Sequence, residues 1–126
     1  MGKNKRSCGT KYENIAAEYL IGKGYQILEK NFRCRSGEID LIARKDSSII
    51  FIEVKYRRNA RHGDPKESVH YRKQLVISRV ASYYLLKSGH GFTSPCRFDV
   101  IAILGDESQI QHIQNAFEYR GPNGNI

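Results

Sequence analysis

Residues 37–57 read GEIDLIARKDSSIIFIEVKYR, and the spacing of apolar and charged residues in this stretch decides the fold. "EIDLIA" and "SIIFIEVKYR" are two apolar, β-branched runs separated by Lys45-Asp46-Ser47-Ser48, the pattern of a β-hairpin. Side chains alternate faces along a strand. Phe51, Glu53 and Lys55 therefore share one face of the second strand, and Ile50, Ile52 and Val54 share the other. In the first strand Glu38, Asp40 and Ile42 point one way, and Ile39, Leu41 and Ala43 the other. A hairpin centred between Asp46 and Ser47 sets Asp40 opposite Glu53 and Glu38 opposite Lys55. Opposite residues stand roughly 5 Å apart at Cβ, where like charges are unfavourable.

Two facing carboxylates need a compensating charge. With a backbone carbonyl and waters they suit a hard divalent cation, because Mg²⁺ commonly takes few carboxylates and keeps several waters. Such an ion polarises a phosphate oxygen and lowers the pKa of a water. Lys55 would steady the attacking hydroxide or the charge growing on the phosphate. The chemistry indicated is phosphodiester hydrolysis. The plainer alternative is a solvated hairpin face carrying a surface ion pair. Phe51 on the Glu53 face, within the apolar run IIFIEVK, weighs against an exposed face.

Working outward, a helix is expected from about Gly9 to Ile21, with Tyr12, Ile15, Ala16 and Tyr19 on one buried stripe and Glu13 at its rim beside Leu20. Gly22 and Gly24 end it. YQILEKNFR reads as a strand that turns through CRSG into the hairpin. After the basic loop YRRNARHG, Asp64, Pro65 and Glu67 spell a helix start, with Asp64 as the cap. That helix is expected to reach Lys87, with an irregularity near His70. Its apolar face holds Val69, Val76, Val80, Tyr83 and Tyr84, and Lys73 lies in the middle of it. CRFDVIAIL and then QIQHIQNAF read as strands. The order is αβββαβ plus a short C-terminal β element, an α/β fold with a mixed sheet flanked by helices. Residues 1–7 read as a flexible basic tail, 8–120 as a single domain and 121–126 as a frayed end.

The 126 residues suit one core, and the net charge is +8. The excess is uneven. Residues 1–61 carry fourteen Lys/Arg against seven Asp/Glu, whereas residues 62–126 carry seven against six. A basic half points to a polyanionic partner. No apolar run reaches the length of a membrane span, and the N-terminal residues lack the apolar stretch of a signal peptide. Cys8, Cys34 and Cys96 are odd in number and without CxxC pairing, which fits free thiols in a cytoplasmic setting and no disulfide partner. The four histidines, His62, His70, His90 and His112, lack zinc-ligand spacing.

D–x12–E–x–K on a hairpin, preceded by a helix bearing a glutamate, resembles the PD-(D/E)XK nuclease superfamily. GEIDLIA, FIEVKYR, GDPKESV, ASYYL and RFDVIAI together resemble the YraN-like, endonuclease-like family of small bacterial proteins, over about Gly9 to Phe117. That family is similar in outline to Holliday-junction resolvases. The resemblance implies a restriction-endonuclease-like core in which Asp40 and Glu53 hold Mg²⁺ or Mn²⁺, Lys55 is the catalytic lysine, and Glu13 joins the metal site from the first helix. The superfamily signature has a proline before the aspartate, where this chain has Ile39, a departure shared by the GEID pattern of the YraN-like group.

Other residues are expected around this core. Glu13, by the helical wheel alone, reads first as a surface residue, and only the superfamily pattern brings it to the site. Glu38 is either a supporting acid or half of an ion pair with Lys55. Lys73 either snorkels to solvent or reaches across the sheet toward a phosphate. Gln74 is a weaker candidate, taken from the use some superfamily members make of a glutamine on this helix. Arg57, Arg58, Arg61 and His62 read as a loop just beyond the active strand and would contact backbone phosphates, with a solvated turn as the alternative. Asp99 is expected to pair with Arg97 or another basic residue. The expected activity is DNA cleavage, on branched or repair intermediates, with a non-catalytic nucleic-acid-binding module as the rival reading. DNA is the expected partner, RNA stays open, and no membrane is expected. A homodimer would suit junction resolution, though no sequence feature assigns its interface.

Overall fold

The computed structural model describes residues 2–58, 69–90, 95–105 and 109–120, with side chains from residue 11 onward. The elements are α1 (Gly2–Gly22), β1 (Gln26–Cys34), β2 (Gly37–Lys45), β3 (Ser48–Arg57), α2 (Tyr71–Lys87), β4 (Cys96–Leu104) and β5 (Gln109–Phe117). They build one five-stranded sheet in the order β1-β2-β3-β4-β5. The β3–β4 pair is parallel and the other pairs are antiparallel, so α2 is the crossover between the two central strands.

The central strands are apolar on both faces because both faces are covered. On one side Ala16, Ala17 and Leu20 of α1 pack with Leu41, Ala43, Ile50, Ile52, Ile101 and Ile103. On the other side Ile77, Val80, Ala81, Tyr84 and Leu85 of α2 pack with Ile42, Ile49, Phe51, Phe98 and Val100. Phe51 and Phe98 stack with ring centroids 5.5 Å apart, at the middle of this second layer. No helix among the described residues is long and apolar enough to cross a membrane.

Several boundaries differ from the sequence reading. α1 begins at Gly2, so residues 2–7 of the segment read as a basic tail fall within its helical range. Its most buried positions are Glu13, Ala16, Ala17 and Leu20, while Tyr12, Ile15 and Tyr19 are half-buried. The stripe is therefore rotated by about one residue, and Glu13 stands inside it rather than at its rim. α2 begins at Tyr71 with His70 as its N-cap, and that cap makes no side-chain hydrogen bond. Asp64, Pro65 and Glu67, the loop residues Arg61 and His62 and the end at 121–126 lie outside the described residues. Tyr83 is 45% exposed, because the buried face of α2 runs through Ile77, Ala81 and Leu85 instead. The C-terminal β element is a nine-residue strand, as long as β4.

Candidate metal-binding and phosphate-binding site

The hairpin turns through two residues and is centred between Asp46 and Ser47, as anticipated. Lys45 pairs with Ser48, and the ladder runs down to Leu41 opposite Ile52. One step further, where Asp40 would face Glu53, the ladder stops and Asp40 Oδ2 accepts the backbone N–H of Val54 at 2.8 Å. Strict alternation also fails here. Ile39 packs into the α2-side core while Leu41 packs into the α1-side core, so the pleat of β2 breaks at Asp40. The expectation that Ile39 shares a face with Leu41 and Ala43 is corrected by this break. β3 stays regular because the parallel ladder to β4 continues past it, with Glu53 opposite Val100 and Lys55 opposite Ala102.

Around this fork the structure gathers five of the sequence candidates. Glu53 is 7% exposed, and Lys73 Nζ of α2 lies 2.9 Å from its Oε2. Lys55 Nζ lies 3.5 Å from the same oxygen. The Lys73 side chain is half exposed, so its stem crosses the apolar face of α2 and its amine ends on the buried acid. Glu13 enters from α1 and is 8% exposed. Its Oε1 accepts a hydrogen bond from Asn31 Nδ2 at 2.5 Å.

The electrostatics follow from burial and crowding. Burial, then the charge of Glu53, pushes the Asp40 carboxyl up to about 8, against the opposing pull of the Val54 N–H. Glu13 is raised as well, first by burial; its bond from Asn31 opposes the rise and the charge of Glu38 adds to it. Burial works to lower Lys73, but the carboxylates of Glu53, Asp40 and Glu38 outweigh it and raise the ammonium. The fork thus holds acids that compete for protons and two amines that converge on one of them.

The donor set suits a hard divalent cation. Asp40 and Glu53 offer carboxyl oxygens from adjacent strands, and without a cation Asp40 keeps a proton to unusually high pH because burial and the neighbouring acid disfavour its charge. Among the described residues no three His, Cys, Asp or Glu side chains already stand as a coordination set. Two carboxylates with a retained water shell is the arrangement Mg²⁺ tolerates.

Other candidates lie elsewhere. Glu38 pairs with Arg33 at 3.1 Å across β1–β2, so its anticipated pairing with Lys55 is not formed. Gln74 is tied down by its own helix end: Nε2 donates to the Val69 carbonyl at 2.9 Å, and Oε1 accepts from Arg120 Nε at 3.3 Å. Arg57 Nη1 donates to the Tyr56 carbonyl at 3.2 Å, and Arg58 is exposed at the end of β3. Asp99 is fully buried and bonded to Arg97 Nε and Nη2, both at 2.8 Å, as anticipated. His112 Nε2 at 2.7 Å and the Asn115 N–H at 2.9 Å complete its shell. Sequence reasoning missed Asn31 and His112. The signal for Asn31 was an asparagine inside a strand pattern, a residue that tolerates left-handed backbone.

Relatives of this chain are numerous and cover its length. A UPF0102 protein of Lachnoclostridium phytofermentans is 47% identical over 118 residues, 94% of this chain and 98% of that protein. One from Clostridioides difficile is 48% identical over 114 residues, 90% of this chain and 99% of its own length. One from Geobacter metallireducens is 45% identical over 120 residues, covering 94% and 98% respectively. The profile described as "Uncharacterised protein family UPF0102" matches residues 12–103, which include Glu13, Asp40, Glu53, Lys55 and Lys73, and this chain belongs to that family.

Proposed function

We propose that this protein is a metal-dependent endonuclease of the cytoplasm that hydrolyses DNA phosphodiester bonds, with branched or repair intermediates as its substrates. The observation that carries the reading is the fork itself. Asp40 and Glu53 meet where β2 and β3 part, with Lys55 and Lys73 on Glu53 and Glu13 approaching from α1. The resemblance of GEIDLIA…FIEVKYR to PD-(D/E)XK nucleases supports it.

A Mg²⁺ or Mn²⁺ ion held by Asp40 and Glu53 would supply positive charge at the phosphate and a water of lowered pKa. The chain's own residues do the rest. Lys55 extends from the same face as Glu53 and presents an ammonium to the attacking oxygen or to the phosphate. Lys73 neutralises Glu53 and, being half exposed, is free to turn to a phosphate oxygen when substrate arrives. Glu13, buried and approaching from α1, would help hold the metal or its water network. Arg57 and Arg58, at the exit of β3, extend the positive track along the nucleic-acid backbone.

The deciding experiment is cleavage of labelled DNAs, including a four-way junction, with Mg²⁺ or Mn²⁺, by wild type, Asp40→Ala and Lys55→Ala. Cutting that both substitutions abolish while DNA binding persists is the expected result. Binding without cutting by wild type would instead favour a non-catalytic nucleic-acid-binding module. One observation lends that second reading weight: Glu53 already has two lysines as partners, so part of the acid cluster is neutralised from within.

A further inference from the structure

Asn31 stands in the row of the sheet that crosses the acids. Lys30 pairs with Leu41 and Phe32 with Ile39, so the register sets Asn31 across from Asp40, on the side away from Glu53. Its φ is 53°, a left-handed backbone in the interior of a strand. Such a conformation is strained for most side chains, and asparagine is among the few that accept it. Strain of this kind gathers at functional sites. The side chain is half-buried and gives its Nδ2 to Glu13 Oε1. Joining β1 to α1 does not by itself require this bond, since Lys30 Nζ already bonds Asn14 Oδ1 at 3.0 Å on the exposed side.

We propose that Asn31 is a positioning residue that holds the Glu13 carboxylate in the fork, so that Glu13 and Asp40 act on one divalent cation; this rests on the metal-dependent reading above. The amide occupies Oε1 and leaves Oε2 without that tie. The donor also offsets part of the repulsion that Glu13 meets on approaching the other acids. Without it, the hydrogen bond to Asp40 is the remaining tie on a buried carboxylate that burial and the charge of Glu38 disfavour.

The test is Mn²⁺ binding by calorimetry, together with thermal unfolding, for wild type, Asn31→Gly, Glu13→Gln and the double variant. Glycine takes φ near 53° without strain, so Asn31→Gly should still fold, with a Tm lowered modestly by the lost bond to Glu13. Its Kd for Mn²⁺ should rise roughly tenfold, the scale seen when a ligand loses its supporting hydrogen bond. In the Glu13→Gln background, Asn31→Gly should change Mn²⁺ affinity no further. Unchanged Mn²⁺ affinity in Asn31→Gly, with or without a lower Tm, overturns the role. A loss of the same size in the Glu13→Gln background overturns it too. If wild type binds no Mn²⁺, the metal-dependent reading falls together with it; if wild type binds and Asn31→Gly matches it, the role of Asn31 falls alone.

Discussion

Asp40 Oδ2 accepts the Val54 N–H at 2.8 Å, so a side-chain carboxylate takes a backbone donor at the point where the hairpin ladder stops. This bond favours the ionised form, yet burial and Glu53 outweigh it and hold the carboxyl at about 8. In the unfolded chain the same group titrates near 3.8. The folded state therefore binds the proton more tightly. The contribution of Asp40 to stability is complete below that lower value and is lost as pH rises through about 8. Asp40→Asn keeps a neutral side chain at all pH values. It should flatten this slope and stabilise the metal-free protein above neutrality by on the order of a few kcal/mol. Denaturant unfolding across the neutral range reads this directly, and a slope equal to that of wild type would refute the assignment.

Proton and cation compete for the same oxygens. Binding of Mn²⁺ should strengthen with pH by about tenfold per unit while Asp40 remains protonated, and should release close to one proton. Calorimetry in buffers of different ionisation enthalpy counts that proton. Affinity independent of pH would place the ion away from Asp40.

The two lysines on Glu53 should separate by their exposure. Lys55→Met should lower cleavage by roughly 10²–10³-fold, the scale of removing one donor from a developing anion, and leave DNA affinity nearly unchanged. Lys73→Met keeps the apolar stem and removes only the amine. It should reduce the slope of log affinity against log salt by about one. Filter binding at several salt concentrations, beside single-turnover cleavage, distinguishes them. Equal effects of both substitutions on the salt slope would contradict this division.

Asp99 is expected to matter for the fold and not for the ion. Burial works to raise its carboxyl, but His112, Arg97 and the Asn115 N–H prevail and hold it below the usual carboxylate range. Its contribution is present above about 3.8 and is lost as pH falls. Arg97→Ala strips a buried acid of its bidentate partner and should cost ~3 kcal/mol. Thermal unfolding should show that loss while Mn²⁺ affinity, measured well below the melting range, stays as in wild type.

The hairpin was legible because a two-residue turn and a period of two fix register with local information alone. Asp40, Glu53 and Lys55 could thus be placed together from their spacing in the chain. The break at Asp40, which turns Ile39 to the other face, was not legible, since the apolar pattern of β2 carries no sign of it; the left-handed Asn31 lies in the same row of the neighbouring strand. Lys73 had two readings, and only the packing of α2 on β2 and β3 brings its amine to Glu53. Glu13 fell at the rim of the expected stripe because the half-buried Tyr12, Ile15 and Tyr19 of α1 outweighed Ala17 in the pattern. His112 could not be linked to Asp99 without the β4–β5 register. Of the two readings of Glu38, the ion pair with Lys55 is not formed, because Arg33 on the adjacent strand takes the same acid.

At the start of β2, a Cβ on Gly37 would meet Val76 Cγ1 of α2 at 2.6 Å and Val80 Cγ2 at 3.6 Å. Val76 lies one helical turn from Lys73, on the same side of α2. The missing side chain at Gly37 is therefore a spacer of zero thickness under that helix. A methyl there, as in Gly37→Ala, would press on Val76 and force that side chain or the start of β2 to give way, and the φ of 151° adds backbone strain of its own. The close approach of α2 to β2 at this end of the fork thus rests on a side chain that is absent.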